Sequence, residues 1–187
     1  MVKKKQLSRE SWILTAFNTL YENGIDAVRI EPLAIKLNVT KGSFYWHFKN
    51  RLELHDALLD YWQREMTQTV LDFAKEFHGN PRQRMINTLR EVVWKERTKY
   101  DPAVRNWART DIKVRKVVQY IDKIRLSFLQ GLFIDLGFDK DEAELRARLG
   151  YYYIMGECIV SIKEPMAKSI KNLDLKTEIM MQPLAKK

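Results

Sequence analysis

The amino-acid sequence predicts an all-α fold, and three observations support this prediction. Apolar residues recur at the period of an amphipathic helix through most of the 187 residues. No segment alternates apolar and polar residues as a half-buried strand would. Only 7 glycines and 5 prolines are present, too few for a turn-rich β protein. Hydrophobic residues make up 45% of the chain, so it can bury a substantial core.

The charge balance indicates an anionic partner. The formal net charge is +9 at pH 7, and the first 50 residues carry eight lysines and arginines against four acidic residues. The excess is therefore densest near the N-terminus. Nucleic acid is a common partner of such a basic segment. A basic surface without a specific partner is the alternative, and charge alone does not separate the two.

The first predicted helix begins after Ser8 and ends at Gly24. Serine is a favoured N-cap residue, and glycine is the usual residue just beyond a helix C-terminus. The buried stripe of this helix is Trp12, Ile13, Ala16, Phe17 and Leu20. We expect the helix to be scaffold. The basic tail before it, Met1–Leu7, is expected to be disordered when free and to rest on phosphates when DNA is bound.

Two short helices joined by a tight turn come next. The first is predicted over Ile30–Leu37, and Asn38 after it tolerates the left-handed conformation that a turn requires. The second is predicted over Thr40–Lys49. Its N-cap is Thr40, whose hydroxyl is expected to accept a hydrogen bond from the backbone N–H of Ser43.

The second of these helices has two unlike faces. Phe44 and Phe48 lie one turn apart, so they must be buried together. The opposite face carries Gly42, Ser43, Tyr45, Trp46 and Lys49. One interpretation is a helix of a small aromatic core. The other is the second helix of a helix-turn-helix, lying in the major groove of DNA, and the preceding helix and turn favour it.

This part of the sequence resembles the DNA-binding domain of the tetracycline-repressor (TetR) family. The resemblance spans roughly Ser8 to Leu59 and is carried by the run from Gly24 to Lys49, GIDAVRIEPLAIKLNVTKGSFYWHFK. Two positions depart from the family pattern. Arg29 stands where the family usually has Thr or Ser, and Asn38 where it favours Gly. An arginine cannot cap a helix with a side-chain oxygen, but it can reach a phosphate.

The resemblance implies roles for individual residues on DNA. Those implied to face base edges are Lys41, Gly42, Ser43, Trp46 and His47. Those implied to hold phosphates are Tyr45, Lys49 and Arg51. Arg29 and Thr40 complete the predicted DNA-binding surface.

The next predicted helices are marked by their caps. Asn50–Glu53 has the form of a capping box and starts a helix whose apolar stripe runs to Phe73, with Gly79 as its stop. Asn80 and Pro81 then start a further helix, since proline is favoured in the first turn.

The C-terminal half continues the same pattern. Asp101 precedes a proline and starts a short helix through Trp107. From about Ile112 the apolar residues recur at helical spacing up to Gly137, which predicts one long helix. The last two predicted helices are Asp139–Val160 and one around Leu173–Met181.

The resemblance also implies how these helices are organised. It implies an N-terminal helix-turn-helix, three-helix DNA-binding head of residues 1–52 and a C-terminal helical ligand-binding and dimerisation body of residues 53–187. One short helix reads only a few base pairs, so a homodimer on a palindromic double-stranded operator is expected. The two C-terminal helices are expected to form a four-helix bundle across the two-fold axis.

A small-molecule effector is expected in the body. The candidate ligand-binding residues are Trp94, Trp107, Tyr120, Phe128, Tyr152 and Met155. Ligand sites are mostly apolar with a few polar groups, which tyrosine hydroxyls or Arg109 would supply. The expected ligand is flat or elongated, largely apolar, and neutral or anionic. The alternative is that these rings simply fill the core.

Signals of other functions are missing from the sequence. His47, His55 and His78 have no metal-binding spacing, and no nucleophile motif or phosphate loop occurs, so no enzyme, metal or cofactor is expected. Cys158 is the only cysteine, so no intrachain disulfide is possible. No apolar run has the length of a membrane span, and a cytoplasmic location is expected.

Three functions are compatible with these features. The first is a DNA-binding transcriptional regulator, a repressor that a small apolar ligand releases from its operator. The second is a ligand-independent DNA-binding dimer with a structural or chromosome-organising role. The third is a protein-interaction module that only keeps the fold. Specific DNA binding separates the first two from the third, and ligand-induced release separates the first from the second.

Overall fold

The computed structural model describes residues 7–160 and 164–183, and within them the all-α prediction is confirmed. These residues form helices and turns without any strand. The basic tail predicted at the N-terminus lies, apart from Leu7, outside the described residues. The α-helices are α1 Arg9–Asn23, α2 Ile30–Lys36, α3 Arg51–Gln63, α4 Thr69–Glu76, α5 Pro81–Trp94, α6 Asp101–Trp107, α7 Ile112–Asp135, α8 Lys140–Ile159 and α9 Met166–Met181.

The first helix has the ends that the sequence predicts. The Ser8 hydroxyl accepts from the N–H of Ser11 at 3.2 Å and so caps α1. Gly24 follows the helix at a φ of 79°, and its N–H donates to the carbonyl of Leu20 at 3.0 Å. A side chain would strain this left-handed position, which explains the glycine. The predicted apolar stripe of α1 is entirely buried.

The helix that leaves the head is longer than one regular α-helix. It begins with α3, passes through a π-helical segment at Arg64–Gln68, and continues as α4. Most of the predicted stripe up to Val70 is buried, but Phe73 is exposed and Ala74 is buried in its place. The prediction for Phe73 was wrong because a π-helical turn contains one more residue, which rotates every later residue around the axis.

The body helices begin at the predicted caps. Asn80 accepts from the N–H of Gln83 at 2.8 Å to start α5, and Asp139 caps α8. Gly137, at a φ of 95°, makes the turn between α7 and α8. At Gly150 of α8 the lack of a side chain makes room for α9, since a Cβ built there would lie 3.1 Å from the sulfur of Met180.

The buried apolar residues of the described part of the chain form two cores. The first core joins the head to α6 and the first half of α7, and it includes Trp107, Val114 and Ile121. The second core lies among α5, the rest of α7, α8 and α9. The head therefore shares its core with part of the body.

None of the helices in the described part of the chain is both long enough and apolar enough to cross a membrane.

Candidate nucleic-acid interface

The turn between the second helix and the following segment is fixed by its backbone. Asn38 has a φ of 54°, as predicted from its tolerance of the left-handed conformation. Its N–H donates to the carbonyl of Ile35 at 3.0 Å, and the N–H of Val39 donates to the carbonyl of Ala34 at 3.0 Å. This pair of bonds is a Schellman motif, which ends α2 and sets the direction of the next segment.

The predicted recognition helix is a 3₁₀-helix over Lys41–Trp46, which we call the recognition segment. The predicted side-chain cap was wrong, because the Thr40 hydroxyl makes no capping bond. The carbonyl of Thr40 instead accepts from the N–H of Ser43 at 3.0 Å. A 3₁₀ turn closes by such bonds between residues three apart, so the backbone supplies what the hydroxyl was expected to supply.

Aromatic packing holds the recognition segment on the head. Phe44 and Phe48 are buried and stacked, with ring centroids 5.2 Å apart. Trp12 of α1 packs edge-on against Phe44 at 5.3 Å. The guanidinium of Arg9 lies 4.6 Å from the centroid of Phe48 and covers it from outside. Burial of these rings confirms the inner face that the sequence predicts.

The predicted DNA-facing residues emerge together on the opposite side. Trp46 is 88% exposed and Tyr45 is 53% exposed, which is unusual for such large rings. Lys41, Gly42 and Lys49 are exposed as well, while Ser43 and His47 are half-buried. The head therefore presents a ridge of aromatic, amide and ammonium groups, which are the groups that contact base edges and phosphates.

An acidic residue at this ridge was missed by the sequence analysis. The ammonium of Lys41 donates to the Glu31 carboxylate at 2.5 Å, across from α2 to the recognition segment. This hydrogen bond lowers the pKa of Glu31 and raises the pKa of Lys41. Lys41 is thus held by an intramolecular partner in the unbound protein. Glu31 lies ten residues before Lys41 in the sequence, so no short-range sequence pattern indicated this contact.

The two implied phosphate-binding cations differ in their surroundings. Lys49 has an exposed side chain, and its backbone N–H donates to Glu53 at 2.7 Å as part of the cap of α3. Arg51 is half-buried and donates to the carbonyl of Ile25 at 2.9 Å and to His55 at 3.2 Å. Arg51 therefore ties α3 to the turn after α1. Burial, and then the charge of Arg51, lower the pKa of His55.

The two remaining predicted residues lie at the edges of the ridge. Arg29 is exposed before α2, where its Nε–H donates to the carbonyl of Asp26 at 2.9 Å. Thr40 is exposed just before the recognition segment. Both side chains are therefore accessible, and their contact with DNA stays a prediction.

The six candidate ligand-binding residues are not brought together. Trp94, Tyr120 and Tyr152 are exposed, and Arg109 is exposed as well. Trp107 is buried in the first core, where its ring packs edge-on against His55 at 5.3 Å. Phe128 and Met155 alone among the six line a partly open cavity in the body.

That cavity lies between the π-helical segment, α4, α5, α7 and α8, and its volume is about 60 Å³. Such a volume holds only a few waters. Its apolar lining includes Met66, Val70, Leu89, Phe128 and Met155. A larger molecule would fit in the cavity only if these flexible side chains turned away from it.

Polar groups on the cavity wall were also missed by the sequence analysis. Arg125 is 9% exposed and donates to Asp101 at 2.7 Å, while Arg97 donates to Glu91 at 2.6 Å. Burial raises the pKa of the Tyr151 phenol to about 12, and this hydroxyl donates to Asp122 at 2.6 Å. Each charge on the wall is thus already paired. The sequence signal was an arginine at a core position of α7, between Ile121 and Phe128.

A wider cleft of about 470 Å³ adjoins this cavity. It opens among α5, the segment before α6, α8 and α9, and its charged residues are Glu96, Lys99, Glu157, Glu164 and Lys176. The two spaces share the wall residues Leu89, Val92, Thr98 and Ile154.

Within the described residues, no group of three His, Cys, Asp or Glu side chains could hold a metal ion.

Comparisons with known proteins agree with this geometry. Residues 13–58 match the family described as bacterial regulatory proteins, tetR family. Over 53 residues the chain is 45% identical to the class D tetracycline repressor protein of Escherichia coli, covering 28% of this chain and 24% of that protein. It is 24% identical over 99 residues to the transcriptional regulator AcrR of Shigella flexneri, covering 51% of this chain and 46% of that protein.

Solved structures extend the likeness of fold to the whole chain. A transcriptional regulator from Rhodococcus sp. Rha1 has a TM-score of 0.68 at 19% identity, covering 94% of both chains. A transcriptional regulator from Aquifex aeolicus VF5 has the same TM-score at 14% identity, covering 92% of this chain and 98% of that one. The matches to the two curated relatives span less than half of each relative's length. The family match is thus confined to the part of the chain that holds α1, α2, the recognition segment and the start of α3, where the tetR family of bacterial regulatory proteins is matched.

Proposed function

We propose that the chain is a homodimeric transcriptional repressor with a DNA-binding head of residues 1–52 and an effector-binding, dimerising body of residues 53–187. It binds a palindromic operator and leaves it when a small apolar molecule enters the body. The observation that carries the proposal is the exposed ridge of the recognition segment, built on the buried pair Phe44 and Phe48 inside the family match. No enzymatic role is proposed.

Selection of bound duplexes from random double-stranded DNA tests the DNA-binding half. We expect an enriched palindrome whose half-sites lie one helical turn, about 34 Å, apart or further. Since base contacts specify and phosphate contacts position, Lys41, Gly42, Ser43, Trp46 and His47 would determine the sequence. Tyr45, Lys49 and Arg29 would hold phosphates, with Thr40 beside them. An unenriched pool would leave the protein-interaction module as the better account.

Arg51 takes a different place in this proposal from the one that the resemblance implies. Its guanidinium already donates to the carbonyl of Ile25 and to His55. It would therefore act on DNA chiefly by holding α3 against the turn after α1.

An exposed apolar stripe supports the dimer. On α8 the stripe consists of Leu145, Leu149, Tyr152 and Ile159, and on α9 of Leu175 and Ile179, all more than half exposed. The α8 residues are spaced to share one helix face. So many exposed large apolar side chains on two helices of a single chain indicate a protein–protein contact. We propose that α8 and α9 of two copies bury this stripe as a four-helix bundle.

Leu149→Glu tests the dimer. Leu149 is 59% exposed in the single chain, so the substitution spares the core of the protomer. Because 59% of each side chain is still available for burial, the two leucines of a dimer would each lose about 0.9–1.8 kcal/mol, so the dissociation constant of the dimer should rise by at least about 20-fold. Ile112→Glu is the control, because Ile112 is 61% exposed on a different helix. Sedimentation at micromolar concentration would show equal dimerisation of both variants if the proposed interface is wrong.

The effector is proposed to be neutral and apolar. The arginines on the cavity wall are paired with carboxylates, so a ligand anion would have to compete with them. The molecule would enter from the wider cleft through the shared wall of Leu89, Val92, Thr98 and Ile154. It would enlarge the cavity by turning flexible side chains such as Met66 and Met155.

The small size of the cavity favours a second candidate function, the ligand-independent DNA-binding dimer. A thermal-shift screen of neutral apolar molecules, followed by DNA titration with each hit, separates the two. A true effector should stabilise the free protein and weaken DNA binding, with the same coupling factor measured either way. Phe128→Trp should fill the cavity and abolish both effects, while Tyr120→Trp, outside on the same helix, should change neither. Hits that stabilise both variants equally, or no hits at all, would favour the second candidate.

A further inference from the structure

The π-helical segment Arg64–Gln68 interrupts the helix that carries the head into the body. Its wider turn is visible at Thr69, whose N–H bonds the carbonyl of Arg64, five residues earlier. The hydroxyl of Thr69 bonds the same carbonyl at 3.0 Å. Such segments break the regular ladder of bonds between residues four apart and often occur at functional sites. A helix of this kind holds its shape only if other groups satisfy the displaced carbonyls.

Two arginines of the body donate to this segment. The Arg125 guanidinium donates to the Thr67 hydroxyl at 2.9 Å and to the carbonyl of Met66 at 3.3 Å. Arg97 donates to the neighbouring carbonyl of Glu65 at 2.9 Å. We call Arg97 and Arg125 the arginine clamp. Its members come from α7 and from the segment between α5 and α6, so they fix the π-helical segment to two other parts of the body.

The clamp also contacts the head side of the same helix. The guanidinium of Arg125 lies 5.3 Å from the ring centroid of Trp62, which is buried in the core that the head shares with the body. Asp101 keeps the guanidinium in place from the opposite side at 2.7 Å. Movement of Arg125 would therefore change its contacts with the π-helical segment and with Trp62 at the same time.

The clamp lies on the wall of the partly open cavity. Arg97, Arg125 and Met66 all line it. Met66 is thus both a wall residue of the cavity and the residue whose carbonyl accepts from Arg125.

We propose that Arg125 is a positioning residue, which with Arg97 holds Arg64–Gln68 in its π-helical form and thereby sets the orientation of the DNA-binding head. The proposal rests on the DNA-binding function proposed above.

Arg125→Lys tests the proposal. Lysine keeps a positive charge beside Asp101, but it cannot reach the same set of acceptors as a guanidinium. Arg84→Lys is a matched control, because Arg84 also donates to a carbonyl of this long helix, that of Ala74 at 2.8 Å, and to a carboxylate, that of Asp135 at 2.9 Å. Its acceptor lies in α4, outside the π-helical segment.

The readouts are amide exchange around Thr69 and affinity for the duplex obtained by selection, with a scrambled duplex alongside. We expect Arg125→Lys to accelerate exchange at Thr69 and to change selected-duplex affinity by about tenfold, with the dimer intact. Arg84→Lys should change neither. Equal effects of the two substitutions on exchange and affinity would overturn the proposal.

Deletion of Gln68 provides a second test that does not depend on the stability of Arg125→Lys. Gln68 is exposed, and removing one residue from a π-helical turn restores regular α-helical spacing while Val70 and Ala74 keep facing the core. In that background Arg125→Lys should no longer alter DNA affinity, and an undiminished effect would contradict the clamp. If the wild-type protein prefers no duplex, the proposed function fails, whereas the exchange difference between Arg125→Lys and Arg84→Lys still tests the clamp.

Discussion

Lys49→Ala should weaken binding to all DNA sequences alike and lower the salt dependence of binding. The Lys49 side chain is exposed on the recognition ridge, while its backbone N–H makes the bond to Glu53 that completes the cap of α3. Truncation therefore removes the ammonium and leaves the local structure. Loss of one phosphate contact from each head of a dimer should reduce the slope of log affinity against log salt by about 1.8. At about 0.15 M salt this corresponds to a roughly 30-fold loss of affinity.

Fluorescence anisotropy with the selected duplex and a scrambled duplex, at salt concentrations from about 0.1 to 0.4 M, measures both quantities. Lys140→Ala is the control, because Lys140 follows the end of α7 that is remote from the head, about 36 Å along the 24-residue helix. Its slope should equal that of the wild-type protein. An unchanged slope for Lys49→Ala, or a change in sequence preference, would refute the assignment of Lys49 to a phosphate.

Three further substitutions test single residues of the head and of α3. Gly42→Ala should leave the melting temperature unchanged or slightly raised, because a Cβ there meets no atom nearer than the Thr40 hydroxyl at 3.7 Å. The substitution should weaken selected-duplex binding if the backbone of Gly42 approaches the bases. Equal binding of the variant and the wild-type protein would place Gly42 outside the interface. Glu31→Gln should raise affinity for both the selected and the scrambled duplex and narrow the difference between the two affinities. The reason is that the substitution frees the Lys41 ammonium and removes a carboxylate that repels DNA. Glu22→Gln on α1, whose carboxylate pairs with Lys36, is the control. Because the pKa of His55 is lowered in the folded protein, the unfolded chain takes up a proton first on acidification, so the free energy of unfolding should fall as the pH drops below about 6.5. The melting temperature of His55→Gln should fall less across the same pH range. Equal falls for the variant and the wild-type protein would contradict this.

The head was predictable from sequence because its decisive features are local. Ser8, Gly24 and Asn50 mark helix ends through their own hydrogen bonds or backbone angles, and all three do so in the structure. Phe44 and Phe48 share a face through spacing alone. The Thr40 cap failed for an equally local reason, because a 3₁₀-helix and an α-helix of this length have similar apolar spacing but close different backbone bonds.

The body was predictable in its helices but not in its cavity. Helix positions depend on caps and apolar spacing, whereas a cavity depends on the direction in which each ring turns after packing. Trp94 and Tyr152 have the composition of ligand-binding residues, yet both point outward. One extra residue in the π-helical turn was enough to expose Phe73 and bury Ala74. The residue types of Arg64–Gln68 give no sequence signal that predicts a π-helical turn.

The first core connects the head to the body through contacts with both. Tyr100 donates to Asn18 of α1 at 2.9 Å, and Trp107 packs against His55 of α3. His55 in turn accepts from Arg51, which holds the turn after α1. The head is thus joined to α6 by buried rings and hydrogen bonds rather than by a flexible linker, so it moves with the body or strains these contacts. If an occupant of the cavity favours a head orientation that fits the operator poorly, the operator must disfavour that occupant by the same factor.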